Sequence, residues 1–133
     1  MEETRYGLKV TLPIPYDQAV DETTTALKAE GFGVLTTIDV RHTLKQKLDK
    51  DFRRYVILGA CNPRFAYESL QEEDKVGVFL PCNVVVQEHE NGEVEISIID
   101  PEEMIRPTQN LNLQSFATGI KQSMLQVLRK IDG

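Results

Sequence analysis

The chain has 133 residues, 41% apolar and 27% charged, with a net charge of -6 and a pI near 4.9. That length fits one compact domain over residues 1–133 and leaves no room for a second core of useful size. The acidic average field disfavours phosphate backbones and anionic lipid surfaces, and two cysteines are too few for a disulfide scaffold, so neither nucleic acid nor membrane is an expected partner and a reducing cytoplasm is the expected compartment.

Tyr6, Leu8, Val10 and Leu12 alternate with small or polar residues, the period of a half-buried strand, and Pro13 and Pro15 end it. From Tyr16 to Glu30 the apolar spacing becomes helical, with Asp17 in the first turn and Gly31 as a left-handed stop. Phe32, Val34, Thr36, Ile38 and Val40 alternate as a second strand, and Leu44 and Leu48 suggest a short charged helix ending near Lys50. Tyr55 to Ala60 is apolar and β-branched enough for a central strand. Asn62-Pro63 reads as an N-cap followed by proline in the first turn, predicting a helix to about Gln71 that buries Ala66, Ser69 and Leu70. Asn83–Glu88 and Glu93–Asp100 flank the hairpin signal Asn91-Gly92. After a loop to about Asn112, Leu113, Phe116, Ala117, Ile120, Met124, Val127, Leu128 and Ile131 mark one face of a long terminal helix.

The order β, α, β, short α, β, short α, β, β, α predicts an α+β fold, with a mostly antiparallel sheet packed on one face by two main helices and short extra helices. The other sheet face is left to solvent, a ligand cavity or a second subunit. The N-terminal Met1–Arg5 is too polar for a secretory leader. Apolar runs such as Val76–Leu80 fall well short of the ~20 residues needed to span a bilayer.

Two segments stand out for chemistry, Gly59-Ala60-Cys61-Asn62-Pro63 and Leu80-Pro81-Cys82-Asn83-Val84. If their strands are antiparallel neighbours, both cysteines lie at one sheet edge. Cys61 also precedes a helix N-terminus, where the dipole and Arg64 favour a thiolate. The functional readings are a redox pair, a nucleophile, or part of a metal or haem site. The alternative is two small buried apolar side chains. Glu68, on the following helix, is a further candidate facing a ligand or, more simply, an exposed helical residue. His42 and His89 are isolated and no Cys-x-x-Cys occurs, so an intrachain zinc site is not expected. Arg41, Lys45, Lys47, Lys50, Arg53 and Arg54 form one basic island that reads first as a solvated helix face and second as an anion or acidic-partner site. Glu72-Glu73-Asp74 and Glu102-Glu103 read as solvated charge. No phosphate loop, nucleophile elbow or paired-histidine motif is present, and no catalytic residue or cofactor is assigned.

Gly31-Phe32-Gly33-Val34-Leu35, Tyr55 through Pro63, Ala66, and Leu80 through Val86 together resemble the domain-of-unknown-function family 302 over roughly Leu8 to Asp100. The resemblance implies a β-α-β(4)-α domain of the TATA-box-binding-protein-like kind and a homodimer. It implies no DNA binding, because fold is not function. Members of that family occur in the context of haem, sulfur and redox proteins. Cys61, Asn62, Pro63, Pro81, Cys82 and Asn83 match its motif positions. Three readings follow: a non-enzymatic domain binding a small ligand or partner near Cys61 and Cys82; a thiol-dependent redox or sulfur-handling protein with close sulfurs and a depressed thiol pKa; or a dimerising module whose cysteines are structural.

Overall fold

The structure is a computed structural model describing residues 1–133. In chain order the main elements are β1 (Glu2–Glu3), β2 (Gly7–Leu12), α1 (Tyr16–Ala29), β3 (Gly33–Asp39), α2 (Val40–Leu48), β4 (Tyr55–Cys61), α3 (Pro63–Glu72), β5 (Cys82–Glu88), β6 (Val94–Ile99), α4 (Pro101–Ile105) and α5 (Leu111–Asp132). The fold is α+β. Six strands run in the order β1-β2-β6-β5-β4-β3, each antiparallel to its neighbours. No helix is long and apolar enough to cross a membrane.

Alternation decides which face of the sheet is buried. Leu8 and Val10 of β2, Val94, Ile96 and Ile98 of β6, Val84 and Val86 of β5, and Leu58 and Ala60 of β4 are nearly inaccessible. Against them pack Ala19, Ala26 and Leu27 of α1 and Ile120, Met124, Val127, Leu128 and Ile131 of α5. This is the expected stripe of the terminal helix laid across the inward face of the sheet. α5 starts where Asn110 caps it, accepting from the amides of Asn112 and Leu113. The stretch read as an open loop before it is instead partly helical: Asp100 caps α4, and Ile105 joins Val76, Leu113 and Ala117 in a small second core.

Several sequence expectations are corrected. Val34 faces inward opposite Ala60, yet Thr36 and Ile38 lie opposite Gly59 and Ile57 on the outer face, because a bulge at Leu35 inserts one residue and reverses the alternation of β3. Val40 begins α2 rather than ending a strand, and α2 buries no residue, so Leu48 is exposed. α3 buries Phe65 and Ser69, while Leu70 faces solvent.

Gly7 is buried where β2 meets β6. A Cβ there would stand 2.9 Å from the Ile98 carbonyl oxygen, a backbone atom that cannot rotate away. Gly7→Ala is therefore expected to lower stability by about 1–3 kcal/mol, read as a lower denaturant midpoint with an unchanged slope.

Candidate functional site

α1, α3 and α5 pack on one face of the sheet, and the outer face carries a concavity. Its cavity, about 390 Å³, is lined among others by Tyr6, Lys9, Tyr55, Asn83, Val85, Gln87, Glu95, Ser97 and Ile99. Strand register assembles this set. Tyr55 lies beside Gln87 and Gln87 beside Glu95; Ile57, Val85, Ser97 and Lys9 form the next row; Asn83 stands beside Gly59. An apolar strip of Ile38, Ile57 and Val85 thus runs into a polar corner at Ser97, Lys9 and Glu95.

Glu95 is the hub of that corner. One carboxylate oxygen accepts from Ser97 Oγ at 3.0 Å and Gln87 Nε2 at 3.3 Å; the other lies 3.4 Å from His89 Nε2 and 3.7 Å from Lys9 Nζ. Burial alone would raise its pKa, but the hydrogen bonds from Ser97 and His89 and the Lys9 charge outweigh burial and hold the carboxyl below its usual range. Glu95 is therefore ionised at neutral pH. Gln87 is fixed in turn by Arg53, whose Nε donates to Gln87 Oε1 at 2.9 Å while its guanidinium lies 4.4 Å from the centre of the Phe52 ring.

The residues singled out from the sequence are split between the two sides of the sheet. β4 and β5 are antiparallel and Ala60 pairs with Cys82, so the two cysteines do reach one end of the sheet. Cys82 shares the inward face with Ala60 and is 3% exposed, whereas alternation turns Cys61 to the outer face. Both thiols are free. Burial pushes the Cys61 thiol up, and burial together with neighbouring Cys61 pushes the Cys82 thiol up to about 11. The lowered pKa expected at the helix N-terminus is corrected: desolvation dominates Cys61, and the first turn of α3 is already capped by Asn62 Oδ1 accepting from the Phe65 amide at 3.0 Å.

Pro81 lies over the outer face, where its ring and the Thr36 hydroxyl occupy the space a side chain at Gly59 would need. Asn83 is beside it and reaches the cavity. Asn62 and Glu68 instead line a shallower cleft between α3 and α5 with Phe116 and Ile120, and Pro63 is an exposed first-turn residue. Arg64 Nε donates to Glu68 Oε1 at 3.2 Å, so the carboxylate is engaged along its own helix. Of the basic island, Lys45 pairs with Asp49 and Asp51, Arg54 meets Asp17 at 4.0 Å and only Arg53 joins the outer-face network; Arg41 and Lys47 are exposed on α2. No group of three or more His, Cys, Asp or Glu side chains is placed to hold a metal ion.

Sequence reading missed Lys9, Gln87, Glu95 and Ser97. Their signal was present as the polar half of the strand alternation, which by itself does not distinguish a ligand-facing side chain from a solvated one.

No curated protein matches the chain. A solved structure, the crystal structure of an uncharacterized conserved protein DUF302 from Bacillus stearothermophilus, is similar at 31% identity and a TM-score of 0.88, over 96% of this chain and 99% of that one. The family model "Domain of unknown function DUF302" matches residues 8–131. The chain therefore belongs to the DUF302 family of domains of unknown function.

Proposed function

We propose that this domain is a non-enzymatic binding module of the reducing cytoplasm, taking a small amphiphilic ligand on the outer face of its sheet. The observation that carries the reading is the Glu95 corner. A carboxylate that is 17% exposed is kept charged by Lys9, Gln87 and Ser97 on three strands and by His89 in the β5–β6 turn, at the end of an apolar strip. Convergent polar groups beside an apolar wall are the common form of a small-molecule site. The cavity's volume, about 390 Å³, lies within the usual range for such sites. Thiol attack is disfavoured in this arrangement, since burial raises both thiols.

A second reading has its own observation. Tyr6 at 68% and Ile38 at 47% exposure stand at opposite margins of the same face, and a second copy of the chain would cover them.

One pair of proteins tests both readings. Val85→Trp fills the cavity from a strand position that favours aromatic residues, so the fold is expected to survive. Small metabolites that raise the melting temperature of the wild type should lose their effect on Val85→Trp. Hits shared by the two proteins place binding elsewhere, and hits abolished by Cys61→Ala instead restore the thiol reading. Sedimentation equilibrium on the same pair reports the dimer: a wild-type dimer that Val85→Trp dissociates, with no ligand hits, supports the second reading over the first.

A further inference from the structure

We infer that the ligand of the outer face is a small zwitterion with an apolar body, of the hydrophobic amino-acid class, its carboxylate bound by Lys9 and its ammonium by Glu95. This rests on the binding reading above and names the chemistry of its ligand.

Charge is the first ground. Among the residues lining the cavity Lys9 and Glu95 alone are charged, one of each sign, and their charged atoms are 3.7 Å apart. A lone anion attracted to Lys9 would be repelled by Glu95, and a lone cation drawn to Glu95 would be repelled by Lys9. A ligand carrying both charges on groups bonded to one carbon satisfies both.

Unspent hydrogen-bonding capacity is the second. A charged N–H···O bond in good geometry is about 2.7–2.9 Å long, whereas both carboxylate contacts of Lys9, to Glu95 and to Glu2, are 3.7 Å. The ammonium has three donors and no close carboxylate to receive them. On the Glu95 side, Oε2 is occupied by Ser97 and Gln87, but Oε1 has only the 3.4 Å contact with His89 and the 3.7 Å contact with Lys9. One oxygen of the pair is thus open to a further donor.

Size and polarity are the third. A cavity of about 390 Å³ lies at the small end of the range for ligand sites and has room for one amino acid. Val85, Ile99, Tyr6 and Tyr55 supply an apolar and aromatic wall next to the charge pair.

The test is calorimetric titration of the full chain at neutral pH and low salt with L-phenylalanine, 3-phenylpropionate and 2-phenylethylamine, which share a ring and differ in the charges retained. Phenylalanine should bind at least about tenfold more tightly than either analogue, the effect of losing one hydrogen bond between charged groups. Lys9→Gln should weaken phenylalanine while leaving 2-phenylethylamine unweakened; Glu95→Gln should weaken phenylalanine and spare 3-phenylpropionate. Circular-dichroism melts of both variants separate lost binding from lost folding, and the three-ligand series on the wild type needs no variant at all. Phenylpropionate binding as tightly as phenylalanine overturns the inference and makes this an anion site, with the binding reading intact. Silence from all three ligands also overturns it; Val85→Trp-sensitive hits of another class then preserve the binding reading, and the absence of any such hit removes that reading as well.

Discussion

Phe32→Ala is expected to lower the unfolding free energy by about 3–5 kcal/mol, the usual cost of truncating a buried phenylalanine. Phe32 is 2% exposed and follows α1 directly. The Phe32 amide donates to the Leu27 carbonyl at 2.9 Å and the Gly31 amide to the Lys28 carbonyl at 3.1 Å, with Gly31 at φ +87. These are the two bonds of a Schellman stop, and the buried contact that goes with it joins the side chains at the Leu27 and Phe32 positions. Truncation removes both the core volume and the apolar half of the helix stop. A denaturant midpoint shift without a change in slope checks the prediction; a loss below about 1 kcal/mol would mean that the site collapses around the cavity and that the helix stop is held by its hydrogen bonds alone.

Alkylation of the two cysteines in the native, reduced protein is expected to be slow, and slowest at Cys82. The thiolate is the reacting species. With its pKa pushed up to about 11 from an ordinary 9.0, Cys82 carries roughly a hundredfold less thiolate at any pH below about 9, and its 3% exposure impedes the reagent as well. Cys61 is half-buried and raised in the same direction, so it should react faster than Cys82 and more slowly than a free thiol. The sign for stability follows from linkage. A folded pKa above the unfolded value gives a contribution fully present below the unfolded pKa and lost as pH rises through the folded one, so the Cys82 contribution disappears between about pH 9 and 11. Peptide mass spectrometry of iodoacetamide-treated protein assigns each rate. A Cys61 rate profile with a midpoint well below that of free cysteine would bring back the activated-thiol reading.

Much of the fold was legible because it depends on local periodicity. Leu8, Val10 and Leu12 announce β2, Asn62-Pro63 announces the start of α3, Asn91-Gly92 announces the β5–β6 hairpin, and the stripe from Leu113 to Ile131 announces α5. What was not legible depends on pairing. The Leu35 bulge exists only as a relation between β3 and β4, and it decides that Val34 goes inward while Thr36 and Ile38 go outward. The site is of the same kind. Tyr55 is separated from Gln87 by α3, Gln87 and Glu95 face each other across the β5–β6 hairpin, and the three become a row only through the registers of β4, β5 and β6.

The cysteines illustrate the same limit from the other side. Their arrival at a common sheet end could be inferred from the antiparallel order, but one residue of register, Ala60 rather than Cys61 opposite Cys82, sends the thiols to opposite faces. The motif residues around them are occupied by structure. Asn62 caps α3, and Pro81 packs over Gly59 beside Thr36. Gly59 is part of the same arrangement, since no side chain fits beneath that pair.

The outer face of the sheet is the proposed binding surface of this domain. The most direct measurement is a fragment screen followed by the amide resonances of isotope-labelled protein. Fragment-induced shifts are expected to concentrate at Gly7, Lys9, Asn83, Val85, Gln87, Glu95 and Ser97, the residues that strand register brings around the cavity. Shifts concentrated instead along α3 and α5, at Arg64, Glu68, Phe116 and Gly119, would contradict that placement and move the site to the helical side of the sheet.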